Sequence, residues 1–164
     1  MNTPKTPLLI SPLTGAWEFM PRPRPVQEAA EWQLLGKFFT RHHWHLEPAL
    51  EQRLRANQEA MVVTTPNRVI CFVNRFVSRR TGYAPAEMIG KTPSLLQGPT
   101  TDPAARLRIR TALQRGQPVQ EQLLNIRKDG SPYWCSIEIY PVQNPTGKLV
   151  HFVAFEQELS TPGV

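Results

Sequence analysis

A chain of 164 residues with 40% hydrophobic and 20% charged side chains can bury one core of ordinary domain size plus an extension, which excludes global disorder. No apolar run approaches the ~20 residues that cross a bilayer. The first dozen residues lack the charged and apolar segments of an export signal, and two cysteines, Cys71 and Cys135, are too few for a disulfide scaffold or a four-cysteine zinc site, so the expected setting is cytoplasmic.

Lys and Arg number 19 against 13 Asp and Glu, a net charge of +6. The arginines are scattered (Arg75, Arg79 and Arg80 in one segment, Arg106, Arg108 and Arg110 in another) and no nucleic-acid-binding pattern accompanies them. A solvated basic surface is expected, not a nucleic-acid face.

Residues 1–25 carry Pro4, Pro7, Pro12, Pro21, Pro23 and Pro25 without hydrophobic period, and read as a flexible arm. From Val26 to about His45, Trp32, Leu35, Phe39, His42 and Leu46 recur at spacings of three and four, which predicts an amphipathic helix. Pro48 interrupts it and opens a second, short helix, "PALEQRLRAN", with Leu50 and Leu54 on one face. The helical extension thus covers 26–57. Residues 58–160 read as one domain, and 161–164 as a tail.

Within that domain, "AMVVTT" and "RVICFV" predict a hairpin around "PN". "NRFVSRRTGYAPAEMIG" predicts short helices punctuated by Gly82 and Pro85. Asp102 and Pro103 form an N-cap and first helical residue, and Ala105, Ile109, Ala112 and Leu113 give the helix an apolar stripe. Three strands follow, Val119–Arg127, Pro132–Pro141 and Lys148–Leu159, linked by Asp129-Gly130 and by "NPTG". This order predicts an α+β fold, a five-stranded antiparallel sheet with short helices on one face.

Period two assigns the faces of these strands. Leu123, Asn125, Tyr133, Cys135, Ile137, Ile139, Phe152, Ala154 and Glu156 share the side expected to face the helices, an apolar wall with a few polar groups. Leu124, Ile126, Trp134, Tyr140, Val153 and Phe155 share the other side, which is too apolar to leave wet. The stripe of Trp32, Leu35 and Phe39 is the expected cover, from the same chain or from a partner.

"FVNRFVSRRTGY", "MIGKTPSLLQGPTTDP", "LLNIRKDGSPYW" and "PVQNPTGKLVHFVAFE" resemble successive landmarks of PAS domains, and more narrowly of the light-oxygen-voltage (LOV) branch, which binds flavin mononucleotide (FMN). The resemblance covers roughly Ala60 to Leu159. It implies that the family's light-reactive cysteine falls at Pro93, which has no thiol, so no flavin adduct forms there. The neighbouring asparagine becomes Thr92 and the phosphate-binding arginine becomes Ser94. Gln97, Arg110 and Asn125 are retained, whereas a second asparagine becomes Cys135 and the ring-sensing glutamine becomes Glu156. Loss of one arginine–phosphate pair costs about 1.5–3 kcal/mol. The candidate binding set is therefore Gln97, Arg110, Asn125, Cys135 and Glu156, and the ligand stays open: FMN, another small molecule, or the cavity's own side chains.

Other chemistry is excluded on its own pattern. His42, His43 and His45 lack a completing acidic or cysteine ligand and read as packing or surface residues. His151 falls on the outer face by parity, which disfavours haem. No Ser-His-Asp order, phosphate-cradling loop or paired carboxylate appears, so an enzyme is not expected. The reading is a light-insensitive sensory or signalling module that binds a small ligand, forms a homodimer or meets a signalling partner through the outer sheet face and N-terminal helix, or does both. A redox-responsive FMN domain without photochemistry and a purely structural dimerisation module are the alternatives.

Overall fold

The computed structural model describes residues 26–160, so the arm read over 1–25 and the tail over 161–164 lie outside it. Helices α1 (Val26–His42) and α2 (Pro48–Ala56) precede strands β1 (Ala60–Thr64) and β2 (Ile70–Val73). Three short helical segments follow, α3 (Arg75–Thr81), α4 (Pro85–Met88) and the 3-10 turn Pro93–Leu96, then helix α5 (Pro103–Gln114). Strands β3 (Val119–Ile126), β4 (Pro132–Gln143) and β5 (Leu149–Leu159) complete the chain's α+β order.

Local chemistry sets the boundaries. Asn74 caps α3 by accepting from the Val77 N–H, and Gly82 ends it at φ +77°, a left-handed position that costs a glycine nothing. Asp102 accepts from the N–H groups of Ala104 and Ala105 at the start of α5, where Pro103 gives up no hydrogen bond. The helix α1 stops at His42, short of the expected His45. His43 turns to φ +49°, Trp44 folds back on Phe39, and the His45 N–H donates to the Gln143 carbonyl at 2.8 Å. That bridge accompanies an unexpectedly long β4. Pro141 lies beyond the last β3–β4 pair, Val119 with Ile139, so only β5 flanks it and the strand tolerates its missing N–H.

The five strands form one antiparallel sheet in the order β2-β1-β5-β4-β3. Its two faces carry two separate cores. On the inner side Val62, Ile70, Val77, Met88, Leu96, Leu123 and Phe152 pack with the short helices and α5. On the outer side Met61, Val63, Phe72, Val142, Val153 and Phe155 pack beneath Leu35 and Leu54, with Trp32, Phe38, Phe39 and Trp44 at the margin. The expected aromatic cover is therefore supplied by this same chain. It is centred on β1, β2 and β5. Leu124, Ile126 and Trp134, toward β3, stay half-buried outside that cluster.

Polar contacts fix the cover in place. The Glu31 carboxylate accepts from the Arg75 main-chain N–H and guanidinium and from the Asn57 amide. Asn74 is fully buried yet satisfied, bonding to Asn57, the Glu59 carbonyl and the Met61 N–H. Arg53 forks between Glu59 and Glu138 while its guanidinium lies 4.1 Å from the Phe155 ring centre. The Trp44 indole donates to His151 Nδ1 at 2.9 Å, and burial holds His151 down at about 4, as a neutral imidazole.

If α1 is part of the core, truncation on its two faces differs sharply. Leu35 is 2% exposed and Leu34 48%. Leu35→Ala is expected to cost about 2–5 kcal/mol in urea denaturation and Leu34→Ala less than about 0.5 kcal/mol. Equal effects would show that the helix is not seated.

Candidate functional site

The inner face is not filled. Between β1, β3, β4 and β5 and helix α5 lies a cavity of about 350 Å³. Its floor is apolar: Val62, Leu123, Ile137, Ile139, Phe152 and Ala154. Pro93, Ile109 and Leu113 close it from above. Phe152 pairs with Thr64, and four residues along β5 Glu156 pairs with Ala60, so the two cavity-lining ends Phe152 and Glu156 lie about 13 Å apart at a strand's rise of about 3.3 Å per residue.

The ends differ in charge. Arg68, on the β1–β2 turn, and Arg106 and Arg110, one turn apart on α5, line the cavity. A second recess shares Arg68, Arg110 and Phe152, which marks the arginine end as the open one. None of the three is in an ion pair among the described residues. The contrast is Arg108, whose guanidinium holds Glu121 at 2.6 Å on the outside of the same helix. Three uncompensated guanidiniums around an apolar recess form an anion-attracting mouth.

The other end carries Glu156. It is 5% exposed, and its Oε2 is buried without a hydrogen-bond partner. Burial pushes its carboxyl up to about 7, and the Arg80 charge offsets this only in part. Arg80 is committed elsewhere: its guanidinium donates to the Glu156 main-chain carbonyl at 2.7 Å and lies 3.9 Å from Glu158.

The loop "LQGPTTDP" is held by structural bonds. Gln97 and Asn125 bridge across the sheet edge. Buried Thr101 donates to the Leu124 carbonyl at 2.6 Å and accepts from the Gly98 N–H. A Cβ on Gly98 would come within 2.8 Å of Ile126, so only glycine lets this loop lie against β3. These anchors give the loop frame a structural reason that does not depend on the residue at position 93.

Of the residues singled out in the sequence, Gln97, Arg110 and Glu156 line the cavity together. Asn125 and Cys135 are buried on the same face but outside its lining. The Asn125 amide lies 3.5 Å from the Tyr133 hydroxyl, and its Oδ1 has no partner. Burial and the nearby Glu156 drive the Cys135 thiol far above its usual range. The other cysteine, Cys71, packs in the outer cluster and is pushed up to about 11. His42 packs against His151, 4.6 Å between ring centres, and His43 and His45 are exposed. Arg68 and Arg106 were not anticipated. Arg106 shares the helical face of Arg110 and Leu113, a spacing visible in the sequence, whereas Arg68 reaches the cavity only through a turn at φ +64°.

The frame of the molecule is thus an antiparallel sheet covered on one side by its own N-terminal helices, with a recess of about 350 Å³ on the other. The PAS domain family model matches residues 58–161. The chain is 35% identical over 114 residues to rice (Oryza sativa subsp. japonica) "Phototropin-2", covering 68% of this chain and 13% of that protein. It is 38% identical over 103 residues to the "Blue-light-activated histidine kinase" of Brucella anthropi, covering 61% and 21%. The solved structure called "Flavin Analogue Sheds Light on Light-Oxygen-Voltage Domain Mechanism" superposes with a TM-score of 0.64 at 32% identity, over 70% of this chain and 87% of that one. The chain thus spans between about an eighth and a fifth of these curated relatives. It belongs to the PAS domain family, in the light-oxygen-voltage branch.

Glu156 gives the cavity a pH signature. Its folded value lies above its unfolded one, so its contribution is fully present below pH about 4.5 and is lost as pH rises through about 7. The loss is roughly 3 kcal/mol. Glu156→Gln should therefore stabilise the fold relative to wild type by roughly that much more at pH 8.5 than at pH 4.5. A difference independent of pH in urea denaturation would mean an ordinary, solvated carboxylate.

Proposed function

We propose that this chain is a sensory PAS module that takes a small, apolar-bodied anionic ligand in its sheet cavity and works without cysteine-adduct photochemistry. The observation that carries this reading is the position of the thiols. Pro93 lines the cavity where the LOV resemblance implies the reactive cysteine, while Cys71 and Cys135 both lie outside the lining. The open volume of about 350 Å³ favours a ligand site over a recess plugged by its own side chains.

A flavin fits the donor set. Arg110, with Arg68 and Arg106, would hold a phosphate. The apolar floor and Pro93 would flank a ring, and Gln97 and Glu156 would meet its polar edge. The buried, partnerless Glu156 Oε2 is the orphan such an edge would satisfy. When bound, a flavin supplies blue-light absorption and electron-transfer chemistry. The relatives' names, a phototropin and a blue-light-activated kinase, agree with that ligand class. The chain's own part is to bind, orient and exclude water. Output runs through association, and the half-buried Leu124, Ile126 and Trp134 on the outer face are the surface offered to a second copy or a signalling partner.

FMN at about one hundred times its Kd should raise the melting midpoint by roughly 5–10 °C, with riboflavin, which lacks the phosphate, much weaker. The blue absorption of the bound flavin should persist under blue light, whereas Pro93→Cys should give a light-driven loss that recovers in the dark. Bleaching of the wild-type protein, or no response to FMN, would contradict the proposal.

A further inference from the structure

The cavity's inner end holds a carboxyl where a neutral amide would be indifferent to pH, and the surroundings of Glu156 decide what that does. From α3, Arg80 faces it but spends its hydrogen bond on the main-chain carbonyl. From β4, Tyr133 and Cys135 are buried nearby and both neutral, and β1 offers only Ala60 opposite. Glu158, at the exposed end of β5, is already paired with Arg127 at 2.6 Å. Arg68, Arg106 and Arg110 also line the cavity but make no ion pair with Glu156. No cation among the described residues lies within ion-pair distance of the Glu156 carboxylate. A charge there would be buried and only partly offset by Arg80, so the stable form in a closed, occupied cavity is the neutral acid.

We propose that Glu156 is the specificity residue of the cavity and makes its ligand affinity proton-dependent: the neutral carboxyl donates a hydrogen bond to an acceptor, such as a ring carbonyl, on a ligand whose anionic end lies at the arginine mouth. This rests on the reading of the cavity as a ligand site and names the class of ligand it selects. On ionisation the donor is lost and two acceptors face each other in a dry site, so only the protonated fraction of the protein binds well. The apparent Kd is the intrinsic one divided by that fraction. It therefore rises about tenfold per pH unit once the carboxyl ionises. The burial of the side chain, which moves its titration close to neutrality, places this change within the range where the fold can be measured.

The test is a titration of the full chain with FMN by fluorescence at pH 6 and pH 8.5, for the wild type, Glu156→Gln and Glu156→Ala, with melting curves to confirm that each is folded. The expected wild-type Kd is at least tenfold weaker at pH 8.5. Glu156→Gln, which keeps a donor at all pH values, should change less than threefold and should bind more tightly than wild type at pH 8.5. Glu156→Ala should bind weakly and without the wild-type pH slope. In the ligand-free protein, the ¹³C-labelled Glu156 carboxyl should titrate near neutrality. The same pH profile in wild type and Glu156→Gln, an affinity that rises with pH in wild type alone, or an ordinary carboxylate titration would overturn the inference and leave the cavity's ligand role standing. Absence of FMN binding in every protein at both pH values would overturn the flavin reading and this inference with it.

Discussion

A sheet that is apolar on both faces must be covered twice, and most of this structure follows from that constraint. Val62, Ala154 and Phe152 point one way, and Met61, Val63, Val153 and Phe155 point the other. One cover is α1 with α2, close-packed and pinned by buried polar groups. The other is the set of short helices with α5, and it leaves a gap. Residues 26–57 thus cover a row of aromatic and β-branched side chains that would otherwise meet water.

Both covers enclose polar groups. Under α1, Asn74, Asn57, Glu31 and Arg75 bond one another, and His151 receives the Trp44 indole. Around the cavity, Asn125 Oδ1 and Glu156 Oε2 are buried without partners. Satisfied buried networks specify a packing, whereas orphaned oxygens store an unmet interaction. The two orphaned oxygens of Asn125 and Glu156 lie on the cavity side, where we propose that a ligand is accommodated. The same distribution separates the thiols from the recess, leaving Pro93 on its wall.

Much of this was legible in the sequence because strand parity is a strong constraint. Ile137 and Ile139 share the inner face, Val153 and Phe155 the outer, and Trp32, Leu35 and Phe39 fall on one helical face, all from spacing alone. Spacing does not convey depth. Asn125 and Cys135 sit on the expected face yet lie outside the cavity lining, since lining depends on where α5 and the 93–97 segment settle. Arg68 was hidden for a related reason: a turn residue reaches the cavity through backbone conformation that periodicity does not encode. The end of α1 was misplaced because Trp44 and His45 bond to β4 and β5, far away in the chain.

The central claim is that one face of the sheet receives a ligand and the other is closed. Methyl-resolved NMR of the ¹³C-labelled chain during FMN titration measures both faces at once. The account predicts shifts at Ile137, Ile139, Ala154, Val62 and Leu123, with Met61, Val63 and Val153 unmoved. Shifts confined to the outer-face methyls, or spread equally over both faces, would contradict it.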